Sequence, residues 1–137
     1  MSKYLFLVLV FFTLDLAHEV KLPQDMPEVK VLMFVTEESH HRTETAITMA
    51  KSLLSSGHKV FLVLEGPAVK LVDKGHRTNL AYRKKLLEVV ELGGEVYACP
   101  YWGRKLRVKG LLEGTGWANP QVIFPKLADE KTRVLVW

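Results

Sequence analysis

Cys99 is the only cysteine among the 137 residues, and it stands where Glu95-Val96-Tyr97-Ala98 gives way to Pro100-Tyr101-Trp102-Gly103. A thiol at the mouth of an apolar strand can be exposed, and its thiolate is the nucleophilic form. Arg104, Lys105, Arg107 and Lys109 follow within ten residues, and cations or a helix N-terminus favour the thiolate. Pro100 suits the first position of a helix, because its missing N–H would be unpaired there in any case. Cys99 would then occupy the cap, with Arg104 about one turn away. Two readings stand side by side. In one Cys99 is reactive, with Arg104 stabilising its anion. In the other it is a small core hydrophobe, as free cysteines often are, and the basic run is a solvated face.

The loop Glu37-Glu38-Ser39-His40-His41-Arg42 is the second concentration of titratable groups. Cysteine and histidine brought together in space form a recurrent activated nucleophile. His40 and His41 are therefore candidates to assist Cys99; the plainer alternative is a pair of solvated loop histidines. A metal site from His40, His41 and Cys99 is the weakest reading, because adjacent histidines seldom converge on one ion without further ligands. One cysteine also excludes an intramolecular disulfide, a CxxC redox pair and a cysteine-rich zinc site. No GxGxxG, GxxxxGK or GxSxG loop is present, so dinucleotide, nucleoside-triphosphate and α/β-hydrolase chemistry lack their usual cradles. His58 and His76 read as structural or exposed, and Trp102 and Trp117 as core or subunit contacts.

These side chains need elements to position them. Residues 29–35 form an apolar run expected of a strand covered on both faces. Residues 43–56 carry Ala46, Ile47, Met49, Ala50, Leu53 and Leu54 at helical spacing, with Gly57 as a stop. A second apolar strand follows at 60–64, and the helix between makes a right-handed crossover joining two parallel strands. Residues 68–72 suit a short helical turn, and 73–78 a polar surface excursion. Asn79 can cap a helix to Leu92, ended by Gly93-Gly94. A strand at 95–99 comes next. Residues 100–125 are the least periodic, with Leu111-Leu112 a candidate short helix; 126–131 suit a helical turn and 133–137 a closing strand. Strands alternating with helices predict a three-layer α/β domain with a mostly parallel sheet. Sites in such sheets collect at the carboxyl ends of the strands, which brings 36–42, 65–68 and 99–104 to one edge.

The totals agree with a single domain. Apolar residues make up 48% and charged residues 25% of the chain, as in globular and not disordered proteins. Lys and Arg exceed Asp and Glu by 19 to 15, a mild excess that does not call for a nucleic-acid partner. Tyr4 to Leu14 is an apolar run behind Lys3, with the layout of a secretory signal, and it is short for a transmembrane helix. Residues 1–17 are expected to be a signal peptide, which implies export, or else a membrane anchor; an apolar element packed in the fold of a cytoplasmic protein is the remaining reading. Residues 18–28, with Pro23 and Pro27, read as a tether, and 29–137 as the domain.

The segments Lys30 to Val35, Gly57-His58-Lys59-Val60-Phe61-Leu62, Leu92-Gly93-Gly94-Glu95-Val96-Tyr97-Ala98-Cys99 and Arg133-Val134-Leu135-Val136-Trp137, with the helix bearing Ala46, Ala50 and Leu53, resemble the DsrE/DsrF-like family of small sulfur-relay proteins in order and spacing. The resemblance covers about Val29 to Trp137. It implies a five-stranded, flavodoxin-like sheet assembled into trimers or hexamers. It also implies that Cys99 accepts sulfur as a persulfide, exchanging it with donor and acceptor proteins or small sulfane-sulfur compounds, generally without metal or organic cofactor. Two departures bear on partners. Relay members of the family are cytoplasmic, whereas this chain has the N-terminal layout of an exported one. The glycine-broken stretch after Cys99 also differs from the family's compact Arg-Gly loop. The alternative function is a non-catalytic ligand-binding or oligomeric interaction module on the same fold.

Overall fold

The computed structural model describes residues 27–77 and 79–137. The expected signal or anchor at 1–17, its apolar run 4–14 and most of the tether at 18–28 lie outside the described residues. Five strands, β1 (Lys30–Val35), β2 (Lys59–Leu64), β3 (Glu95–Ala98), β4 (Thr115–Trp117) and β5 (Thr132–Val136), form one sheet in the order β4-β3-β2-β1-β5. Every pairing is parallel. Among the described residues no helix is long and apolar enough to cross a membrane.

The handedness rule dictates the layers. The chain steps β1 to β2 to β3 to β4 in one direction, so right-handed crossovers put all three connections on one face. Those connections are α1 (His41–Ser55), a 3₁₀ helix (Gly66–Val72) followed by α2 (Leu80–Glu91), and the short α3 (Pro100–Lys105). The return from β4 to β5 crosses the sheet the other way, so α4 (Pro120–Ala128) covers the opposite face. The result is the expected three-layer α/β arrangement, with unequal layers. The first face holds a large core in which Val31, Met33 and Val35 meet Leu62, Leu64, Ala46, Ile47, Leu86 and Val89. Among the described residues the second holds Leu32, Phe61, Val63 and Ile123 as its buried members.

Several local expectations are corrected. α1 begins at His41 and not near Thr43, because His40 provides the cap: its Nδ1 accepts the Arg42 N–H at 3.2 Å. Asp73 is 6% exposed and not part of a surface excursion. Its Oδ1 accepts the N–H groups of Gly75 at 2.9 Å and Lys109 at 3.0 Å, which satisfies the buried carboxylate. Leu111 forms an antiparallel bridge with Asp73 instead of entering a helix. The helical turn expected over 126–131 is the tail of α4, which ends at Ala128.

α3 is seated by a single close approach. A Cβ built on Gly103 would lie 2.6 Å from Trp117 Cη2, so the indole of β4 rests directly on the α3 backbone. Gly103→Ala is expected to lower the urea midpoint. The overpacking cost, about 1–3 kcal/mol, exceeds the helix-propensity gain of roughly 1 kcal/mol. An unchanged or higher midpoint would remove this contact from the account.

Asp129 ties β1 to the turn before β5 at the other end of the sheet. Its Oδ1 accepts the Lys131 N–H and its Oδ2 the Lys30 ammonium, both at 2.9 Å. The backbone bond first, and the lysine with it, hold the carboxyl below its ordinary value. A lowered folded value stabilises the protein above the usual carboxylate range, and that share is lost as pH falls through it. Asp129→Asn should therefore be less stable than wild type at pH 7, and urea midpoints of the two should converge between about pH 5 and 3. Parallel pH profiles would contradict it.

Candidate functional site at the carboxyl edge

The register aligns Val35, Leu64, Ala98 and Trp117 across neighbouring strands. One residue further lie Thr36, Glu65, Cys99 and Ala118, the first positions beyond each strand. Main-chain bonds from Glu65 N–H to Val35 O at 2.9 Å, Cys99 N–H to Leu64 O at 2.8 Å and Ala118 N–H to Ala98 O at 2.8 Å close the ladder along this edge. Gly66 has φ +51°, and a Cβ there would sit 3.3 Å from Thr36 O; the β2 connection thus passes close over the end of β1.

At this edge the connections after β1, β2 and β3 turn to one face and the connection after β4 turns to the other. The connections after β3 and β4 therefore leave this edge towards opposite faces, while the strand order itself reverses between β1 and β5, the kind of position where open α/β sheets place their ligands. Cys99 is the first residue after β3, and Ala118 the first after β4. Cys99 thus lies on the expected sheet edge, beside the gap between β3 and β4 and two strands from the reversal.

Cys99 has φ −63° and ψ 121° and is the N-cap of α3, with Pro100 in the first turn. Its side chain makes no capping hydrogen bond. It is a free thiol, partly exposed, packed against the rim of the main core. The cap position sets it beside first-turn amides that an α-helix leaves without intrahelical partners. Arg104 is exposed in the last turn of α3, five residues on and roughly 7–8 Å along the axis. Among the described residues it makes no hydrogen bond or ion pair with Cys99. The helix expected at Pro100 is present, but Arg104 stands at its far end.

The two histidines stand apart from the thiol. His40 caps α1, and with its Nδ1 accepting from Arg42 the neutral ring carries its proton on Nε2. His41 is exposed, and the two rings are tilted by 39° with centroids 3.8 Å apart. They follow β1, two strand spacings or about 10 Å from the end of β3. Neither is hydrogen-bonded to Cys99 among the described residues. Nor does any group of three His, Cys, Asp or Glu among them converge on a common point suited to a metal ion.

Three features beside the site were not anticipated. Glu38 Oε1 and His76 Nε2 are 2.6 Å apart, joining the β1 connection to the loop after the 3₁₀ helix. Arg83 donates to the carbonyl oxygens of Leu71, Lys70, Asp73 and His76, fixing that same loop. The end of α3 is closed by Val108 N–H to Gly103 O at 2.8 Å and Arg107 N–H to Arg104 O at 3.2 Å. This is the paired bonding of a Schellman motif, whose left-handed position usually belongs to glycine. Here it is Arg107, at φ +55°, a conformation that costs a non-glycine residue on the order of 1 kcal/mol. Only the glycine-poor sequence at the end of α3 hints at it.

No protein-family model matches the sequence, and no curated protein matches it. Solved structures do share the fold. The crystal structure of the ychN protein from E. coli superposes with a TM-score of 0.55, covering 80% of this chain and 99% of that one at 17% identity. YchN is a DsrE-like fold protein, and at that identity the likeness speaks for architecture alone. The chain has a flavodoxin-like, DsrE-like α/β fold with Cys99 on the carboxyl edge of its sheet.

Proposed function

We propose that the protein is a sulfur carrier that holds sulfane sulfur on Cys99 as a persulfide. The observation that carries this reading is the position of the chain's single thiol, partly exposed at the N-cap of α3 where the β3 and β4 connections part. In the loading step the Cys99 thiolate attacks the outer sulfur of a donor persulfide. A new S–S bond forms at Cys99, the donor's S–S bond breaks, and the donor leaves as a thiolate. The outer sulfur keeps its proton, and nothing is oxidised or reduced overall. Release is the reverse attack by an acceptor thiolate. One cysteine suffices, whereas a disulfide oxidoreductase needs two. In this reading the first-turn amides of α3 stabilise the sulfur anion, and Arg104 acts on it, or on an arriving partner, from the far end of α3. His40 and His41 lie one connection further away, and an assisting role would require their loop to move towards Cys99.

The test is to incubate the purified protein with a sulfane-sulfur donor and weigh it intact. The wild type should gain the mass of one sulfur atom, and Cys99→Ser should gain none. No adduct on the wild type, or an adduct that survives the substitution, would overturn the reading.

A second reading, an assembly module, is favoured by one feature. On the thinly covered face, Val134 is 46% and Val136 73% exposed on β5, and Phe124 is 63% exposed on α4. An apolar surface of this kind on an edge strand suits contact with another copy. Light scattering should then give a mass above that of the monomer, falling to the monomer in Val134→Lys/Val136→Lys. A monomeric wild type would dismiss it.

A further inference from the structure

We infer that the surface formed by the loop after the 3₁₀ helix and by α3 with the loop after it docks a short acidic segment of a protein partner. The two loops are tied together by main-chain bonds from Lys74 N–H to Gly110 O at 2.8 Å and from Leu112 N–H to Val72 O at 2.9 Å, and by the Asp73 carboxylate accepting the Lys109 N–H. They bring Lys74, Arg77, Arg104, Lys105, Arg107 and Lys109 together, and all six are exposed. None is in an ion pair among the described residues. Of the two carboxylates in these loops, Asp73 is buried and taken up by backbone N–H groups, and Glu113 is exposed. Glu38, on the neighbouring connection, is already paired with His76.

Residues 27–137 hold seventeen Lys and Arg against twelve Asp and Glu. The six cations set against Asp73 and Glu113 account for four of the excess of five, so the remainder is nearly balanced. The protein's positive field is therefore local, and a local field of one sign selects a partner of the other sign. Its extent decides the partner. α3 rises only about 9 Å over its six residues, a length that matches a short run of carboxylates and not a long phosphate backbone. A few carboxylates match the patch. The exposed Tyr101 and half-buried Trp102 give no free stacking platform, because Lys105 lies over both rings at 5.6 and 5.2 Å.

Arg107 adds an independent sign of function. A cation stands at a left-handed position that glycine would occupy without strain, and strain of this kind collects where a side chain is needed. The patch begins one helix-length from Cys99, so the inference rests on the carrier reading for what the docked partner exchanges.

The experiment measures anisotropy of a fluorescein-labelled octaglutamate peptide with sulfur-free protein. Wild type should bind, more weakly as salt rises. Arg104→Glu/Lys109→Glu should lose about tenfold or more, while Lys59→Glu, at the opposite end of the sheet, should change less than twofold. Arg107→Gly should bind more weakly and yet melt at a higher temperature than wild type. Three results would overturn the inference: no binding by wild type, equal loss in Lys59→Glu, or tighter binding of an equally charged oligothymidylate or of phosphatidylserine vesicles than of the peptide. Sulfur loading without peptide binding defeats this inference alone, and peptide binding without loading defeats only the carrier reading.

Discussion

The hydrogen bond from Cys99 N–H to Leu64 O, 2.8 Å long, is the last rung joining β3 to β2, and the site depends on it. The next residue is Pro100, which has no N–H to offer a further rung and whose fixed φ opens a helix. Cys99 is therefore the final residue held by the sheet and the cap of α3 at once. Its position is set by backbone bonding on one side and helix geometry on the other, with little freedom left to the thiol's location. A polar or reactive group placed this way needs no specialised loop.

What surrounds that junction follows from the order of the strands. Three successive steps in one direction load α1, α2 and α3 on to one face and build the large core there. The single return step leaves α4 alone on the other face, which explains why exposed apolar side chains gather near β5. The same return step sends the connections after β3 and β4 to opposite faces beside Cys99. One topological fact thus accounts for the thick core and the thin face. The contact of Trp117 with Gly103 then fixes how α3 leaves the sheet. Its far end projects cations over the neighbouring loop because Asp73, buried between the two, organises both through their amides.

Much of this was legible in the sequence. Continuous apolar runs marked β1 and β2, helical spacing marked α1 and α2, and Pro100 after Cys99 marked the cap. The rest was hidden for specific reasons. β4 is only Thr115, Gly116 and Trp117, too short to show alternation, and the return helix α4 carries Pro125 inside it, which reads as a breaker. The parting of the β3 and β4 connections depends on both of these elements, so it could not be located without them. Arg104 looked close to Cys99 along the chain, yet a helix carries it away. His40 looked available for chemistry, yet its Nδ1 is occupied as a cap. Asp73 looked like a surface residue because no sequence pattern reveals that two amides from different loops will close around it.

The central claim is that Cys99 is an accessible thiol at a strand–helix junction and not a core side chain. Its rate of alkylation by iodoacetamide in the folded protein, followed across low urea concentrations, tests this most directly. The account predicts labelling in the absence of urea at a rate that stays nearly constant until the unfolding transition. Protection in the native state, with labelling that rises in step with global unfolding, would contradict it.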